Sequence, residues 1–357
     1  MTDAAASTDD SEQLLDDLEV YARLDPDGMG STIAGLGSQV RDAWATGSAW
    51  DPPADFTTPE RVVVVGMGGS AIGADIIATV ARIESPIAVE VVRDYNPPPP
   101  AAGTLTIASS VSGNTEETLA AFEAARRGPG MHLAITGGGA LAALGGPSLQ
   151  YEWDFHPRAA LGWGMMPLAA VLTRLGVLSI DNDEVQSIAS TLDVCAGAWG
   201  PTNPTASNRA KQIAERVRGR LPVIVGTEFL DVAARRWAGQ VQENAKQWAF
   251  ATALPEMNHN FINGFGLPSP AVDHLELIFL DATDVHPRNR RRIELTGQSL
   301  DEAGVAHTTQ VIGGRSPLEI IVHACSLADW VSYYLAMLNG VDPSDTSPIE
   351  IFKNRMG

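Results

Sequence analysis

Two short segments place glycines and hydroxyls where an apolar strand-like run hands over to a helix. Gly66-Met67-Gly68-Gly69-Ser70 follows the β-branched run Val62 to Val65, and Ser110-Val111-Ser112-Gly113-Asn114-Thr115 closes the run that starts at Leu105. Free N–H groups and the positive end of a helix dipole favour an anion at such a turn. Glycines at 66, 68, 69 and 113 let the backbone approach it, and the hydroxyls of Ser70, Ser110, Ser112 and Thr115 add donors. A phosphate monoester suits two such loops side by side. Each loop also has a plainer reading. Ser112 or Asn114 ahead of Glu116 and Glu117 is good helix-capping chemistry by itself. A third reading is a dinucleotide site, because Gly66-x-Gly68-x-x-Ala71 fits G-x-G-x-x-A. Such a site wants an acid at the end of the next strand, where Arg93-Asp94 stands, and it leaves the second loop's hydroxyls unexplained.

A second group of residues could move protons. Glu243 lies in Glu243-Asn244-Ala245-Lys246 at the end of a predicted helix, and His259 lies in Glu256-Met257-Asn258-His259-Asn260 after a short strand. A carboxylate near a histidine supplies a general base and a proton shuttle. The plainer alternative is a solvated helix carboxylate and a loop histidine bonded to backbone. Arg158, just past the last strand of the first half, could stabilise developing oxyanion charge or pair with one of the many carboxylates.

The elements that must position these residues alternate strand and helix. Strands are predicted at 62–65, 87–93, 105–110, 132–137 and 149–154, then at 221–226, around 248–254, 275–282 and 306–313. Helices are predicted over 11–24, from about Ala71, after Thr115, over 161–178, 184–199, 208–219 and 229–247, from Pro287, and over 317–338. The expectation is an α/β protein with doubly wound parallel sheets flanked by helices, built twice. Residues 1–10 are expected to be disordered, with one domain over 11–200 and a second over 201–357, divided at Gly200-Pro201-Thr202-Asn203-Pro204.

Composition excludes several functions. With 24 basic against 43 acidic residues the formal charge is −19, which repels phosphate backbones and anionic lipid, so neither nucleic acid nor membrane is an expected partner. The run Arg288 to Arg292 then reads as a solvated helix face paired with acids. Cys195 and Cys325 are too few and too far apart for a disulfide framework or a thiolate zinc site. The seven histidines show no ligand spacing, so no metal or other cofactor is expected. The acidic start has no apolar core, and no uninterrupted apolar run of about 18 residues occurs, so a soluble cytoplasmic protein is expected. Lysine is scarce, at Lys211, Lys246 and Lys353 only.

The segments GMGGSAIG, SVSGNTEETL, HPRAALG, QENAK, PEMNHN and SPIEIFKNRMG occur in this order and together resemble the bifunctional phosphoglucose/phosphomannose isomerases, a branch of the sugar isomerase (SIS) domain superfamily. The resemblance runs over nearly the whole chain from about residue 60. It implies two flavodoxin-like SIS domains, a homodimer with its active site between subunits, a hexose 6-phosphate substrate and no metal. By motif, Gly69, Ser70, Ser110, Ser112 and Thr115 would hold the sugar phosphate and Glu243 would be the base between C1 and C2. Arg158 would lie beside the enediolate, and His259, from the partner subunit, would serve ring opening with Lys353. Phe261 stands where the family usually has a glutamate, which bears on the tuning of His259 and on substrate preference. Two other outcomes stay open: a non-catalytic sugar-phosphate-binding SIS protein and an NAD(P)-binding oxidoreductase.

Overall fold

The computed structural model describes residues 8–356, so residues 1–7 of the expected disordered tail lie outside the described residues. Residues 8–10 belong to a helix, Thr8–Asp16. The single helix expected over 11–24 is two, Thr8–Asp16 and Leu18–Leu24, because Asp17 between them turns its carboxylate onto the Glu19 N–H and caps the second.

Among the described residues, nine strands form two all-parallel sheets. The first holds β1 (Arg61–Val65), β2 (Ala88–Val92), β3 (Thr104–Ser110), β4 (Met131–Thr136) and β5 (Ser148–Gln150) in the order β2-β1-β3-β4-β5. The second holds β6 (Leu221–Thr227), β7 (Phe250–Leu254), β8 (Leu275–Ala282) and β9 (Ala306–Ile312) in the order β7-β6-β8-β9. Relative to its own first strand each sheet runs 2-1-3-4, and the first adds a fifth strand, the flavodoxin-like order. The α/β reading and the duplication therefore hold.

The chain divides into two compact units that are discontinuous in sequence. One comprises residues 35–193 and 315–319; the other comprises the N-terminal segment to Ala34, residues 194–314 and residues from Ile320. The expected division at 200 thus falls at 193/194, and the N-terminal helices join the unit of the second sheet rather than the first. The reason is a buried cation. Lys211 is fully buried and donates to Asp16 Oδ1 at 2.9 Å and to the Pro201 carbonyl at 2.9 Å. Its ammonium lies 5.6 Å and 5.9 Å from the ring centroids of Tyr334 and Tyr21. A buried ammonium without such partners would be costly, so Asp16 draws its helix into that unit.

The same region yields a pH dependence. Glu215, on the helix Arg209–Val217, has its carboxyl pushed up to about 7, chiefly by burial and then by Glu12 and Asp16. Its Oε1 finds no hydrogen-bond partner among the described residues. Unfolded, the carboxyl titrates near its ordinary 4.5, so the folded state holds the extra proton between these values and stability falls as pH rises through them. Glu215→Gln should therefore melt with the natural protein near pH 3.5 and above it near pH 8, roughly one unit either side of that window. The same offset at both pH values would show that this carboxyl does not titrate as described.

In the unit of the first sheet, Val62 to Val65 are all buried, as the β-branched run predicts. Val63, Val65, Ala108 and Ala134 pack with Phe122 of the helix Glu116–Arg126. β5 is shorter than the expected 149–154. The Tyr151 N–H makes the last bond to β4, to the Thr136 carbonyl at 3.2 Å, and its ring stacks on Trp163 at 4.8 Å. In the other unit, Val223, Val225, Leu277 and Phe279 pack with Ile293 and Leu300 of the helix Pro287–Ala303. The helix Pro317–Asn339, interrupted by Glu319, His323 and Asp329, is by length and composition apolar enough to cross a membrane, and 94 % of its apolar window is buried in the fold. The Arg-rich run behaves as expected of a solvated face: Arg291 pairs with Glu294 at 2.6 Å and Arg290 with Asp281 at 3.4 Å. Both cysteines are free and buried.

Candidate functional site

An open parallel sheet binds ligands where its strand order reverses, beyond the strands' carboxyl ends. In the first sheet that reversal lies between β1 and β3, and the loops leaving those strands are the two glycine- and hydroxyl-rich segments. They are tied to each other. The buried Ser70 Oγ accepts the Val111 N–H at 3.2 Å, joining the first loop to the second. Ser110 Oγ accepts the Gly113 N–H at 3.1 Å and lies 3.1 Å from Thr115 Oγ1, while Ser112 Oγ accepts the Asn114 N–H at 3.3 Å. Neither helix that starts here, Gly68–Glu84 nor Glu116–Arg126, has a side-chain cap on its N-terminus. The capping reading of Ser112 and Asn114 thus fails for the helix itself, since Ser112 holds the loop and Asn114 Oδ1 takes the Ala140 N–H. Two uncapped helix starts leave donors for an anion.

The turn that carries Arg158 packs against the first of these loops. Arg158 lies in the single turn Pro157–Ala159 and is 4 % exposed. A Cβ on Gly69 would stand 2.6 Å from the Pro157 carbonyl oxygen and 3.5 Å from Arg158 Cα. Only a residue without a side chain lets that turn close on the first loop. Gln39 Nε2 holds the turn by donating to the Ala159 carbonyl at 3.0 Å. One unit therefore brings together Gly69, Ser70, Ser110, Ser112, Thr115 and Arg158.

The dinucleotide reading loses support at the end of β2. Arg93 is engaged by Asp75 at 2.6 Å, and the Asp94 carboxylate takes the Tyr95 N–H at 2.6 Å. The second sheet's reversal, between β6 and β8, is filled by the chain itself. Glu228, in the left-handed region at φ 54°, accepts the His286 N–H at 2.9 Å and the Asn289 side-chain amide at 2.7 Å. A carboxylate of the protein thus occupies the start of the helix Pro287–Ala303.

The other unit holds Glu243, His259 and Lys353 but does not gather all three. Glu243 sits in the last turn of the helix Asp231–Ala245, partly buried. That helix is anchored to Pro317–Asn339 by a buried pair, Arg236 with Asp329 at 2.9 Å, to which Gln240 adds a bond of 2.7 Å. Asn244, fully buried, donates to Ser332 Oγ at 3.0 Å, and Asn339 donates to the Ala245 carbonyl at 3.0 Å. The Glu243 carboxylate itself makes no hydrogen bond or ion pair among the described residues. Glu243 precedes β7 and His259 follows it, in the turn Glu256–His259, so a five-residue strand rising about 3.3 Å per residue parts them within one chain. Lys353 lies on the exposed helix Ser347–Met356. A groove of about 500 Å³ borders this helix, lined by Gln242, Lys246, Trp248, Phe250, Asp345 and Pro348 among others. Phe261 is 39 % exposed and packs edge-on against Phe265, 5.9 Å between ring centres.

Comparison with known proteins decides the family. The chain is 32 % identical over 335 residues to the bifunctional phosphoglucose/phosphomannose isomerase of Caldicellulosiruptor bescii, covering 92 % of this chain and 98 % of that one. The chain belongs to the bifunctional phosphoglucose/phosphomannose isomerase family. The Aquifex aeolicus member is 34 % identical over 314 residues, with 86 % of this chain and 94 % of that one covered. Residues 206–356 match the bacterial phospho-glucose isomerase C-terminal SIS domain. The fold of this family member is also that of a glucose-6-phosphate isomerase like protein from Thermus thermophilus, with a TM-score of 0.64 at 16 % identity over 95 % of this chain and 98 % of that chain.

Proposed function

We propose that this protein interconverts glucose 6-phosphate and mannose 6-phosphate with fructose 6-phosphate through an enediolate, without a metal. The observation that carries the reading is the cradle at the first sheet's reversal, where two loops and the turn that carries Arg158 meet. The names of the relatives agree with it. Gly69, Ser70, Ser110, Ser112 and Thr115 hold the phosphate, and its binding energy orients carbons that lie a sugar's length away. Glu243 removes the C2 proton; the freed electron pair becomes the C1–C2 double bond as the C1 carbonyl π pair moves onto O1, and the O2 proton passes to O1. The same carboxyl then returns the proton to C1 as the C2 oxygen becomes a carbonyl. Glucose 6-phosphate and mannose 6-phosphate differ only at C2, so loss of that proton erases the difference and one base serves both. Arg158, always protonated, faces the enediolate charge that a metal would otherwise meet. His259 and Lys353 transfer the protons of ring opening. A homodimer in which His259 comes from the partner subunit accommodates its separation from Glu243 within one chain.

The test is a coupled assay on both aldose phosphates with and without a chelator. Turnover of both, unchanged by chelation, is the expected result. Turnover of one alone would narrow the substrate. Saturable binding of fructose 6-phosphate without turnover of either would replace the enzyme by a sugar-phosphate-binding protein.

A further inference from the structure

Lys246 ends the helix Asp231–Ala245 in the left-handed conformation, with φ 54° and ψ 31°. Glycine normally takes that position, because any side chain there crowds the following carbonyl. This chain has 34 glycines and 3 lysines, yet it puts a lysine here. The ammonium explains the choice. Nζ donates to the carbonyl of Glu243 at 2.6 Å, of Asn244 at 3.5 Å and of Pro343 at 3.4 Å. The first two are helix-end carbonyls without intrahelical donors, where a cation also suits the dipole. The third lies 97 residues along the chain, just ahead of the helix that carries Lys353.

We propose that Lys246 is a positioning residue for the isomerase reaction. It clasps the backbone of Glu243 to the segment leading to Lys353, holding the base at one distance and angle from the substrate carbons. The inference rests on the reading of Glu243 as the base. A simple helix terminator would be served as well by glycine, and a lysine that bound substrate would show in KM. The clasp predicts neither. Displacements of about 1 Å in a positioned group cost up to about 100-fold in rate.

The test uses Lys246→Gly, which fits the backbone conformation without strain, and Lys246→Met, which keeps the apolar stem. Both are assayed on fructose 6-phosphate below their melting temperatures, beside Glu243→Gln. In both lysine variants kcat is expected to fall by at least about tenfold with KM within about twofold of the natural protein. A Lys246→Gly enzyme with kcat within about twofold of the natural one overturns the proposal, and so does a fall in kcat matched by a rise in KM. If Glu243→Gln itself turns over normally, the assignment of the base has failed. If it is inactive while Lys246→Gly is not, only the clasp has.

Discussion

Replacing Glu243 by glutamine is expected to lower kcat by at least about 100-fold while leaving the inhibition constant of inorganic phosphate within about twofold. General-base catalysis supplies about 10²–10⁴-fold in enzymes of this kind, and an amide cannot accept the C2 proton. The fold gives no reason for a structural penalty. Glu243 is partly buried, its carboxylate has no partner among the described residues, and the helix is held instead by Asn244, Arg236 and Lys246. A loss through unfolding would lower the melting temperature, and a loss of binding would raise the phosphate constant, so both are to be measured alongside turnover. Solvent deuterium should enter C2 of glucose 6-phosphate with the natural enzyme and not with the variant. Normal turnover by Glu243→Gln would remove this residue from the mechanism.

How much of this was legible in the sequence depended on the range of the interaction. Val62 to Val65 and the runs at 105–110, 132–137 and 275–282 form strands as predicted, because a β-branched or apolar stretch between turns has few other places in an α/β fold. The two glycine- and hydroxyl-rich loops were readable for the same reason, their residues being contiguous in the chain. Arg158 is a candidate by position and by its motif, and Gly69 shows how closely its turn approaches the first loop. What stayed hidden was long-range. Nothing local tells that Asp16 reaches Lys211, 195 residues on, and so moves the unit boundary. Nor does spacing tell that Arg236 pairs with Asp329, or that Glu228 fills the second sheet's reversal. The helix break at Asp17 was within reach, since a residue that prefers helix caps stood inside the predicted helix. The short β5 was not, because its ladder ends where β4 ends, at Thr136, a pairing limit that the run 149–154 does not show.

Gly113→Ala should abolish tight phosphate binding, weakening it by about 100-fold or more, while Gly68→Ala should change it only slightly. Both glycines have positive φ, 66° and 51°, so alanine carries a similar left-handed cost of about 1–2 kcal/mol at each. They differ in what the new methyl meets. At Gly68 there is nothing within 4 Å, whereas at Gly113 the Cβ would stand 1.7 Å from the Gly138 carbonyl oxygen and 2.8 Å from Thr136 Oγ1. Both neighbours are fixed: Thr136 Oγ1 donates to that same carbonyl at 2.9 Å, and the Gly113 carbonyl accepts the Leu141 N–H at 2.9 Å. The second loop must therefore move, and its movement breaks the bond from Gly113 N–H to Ser110 Oγ that sets the hydroxyl. Misaligning two donors to a dianion, each worth about 1.5–3 kcal/mol, removes at least about 3 kcal/mol, or roughly 100-fold in affinity. Isothermal titration with inorganic phosphate measures this directly, and a melting curve on each variant confirms that it is folded. Phosphate binding by folded Gly113→Ala within about threefold of the natural protein would mean that the Ser110–Thr115 loop is not where the phosphate is held.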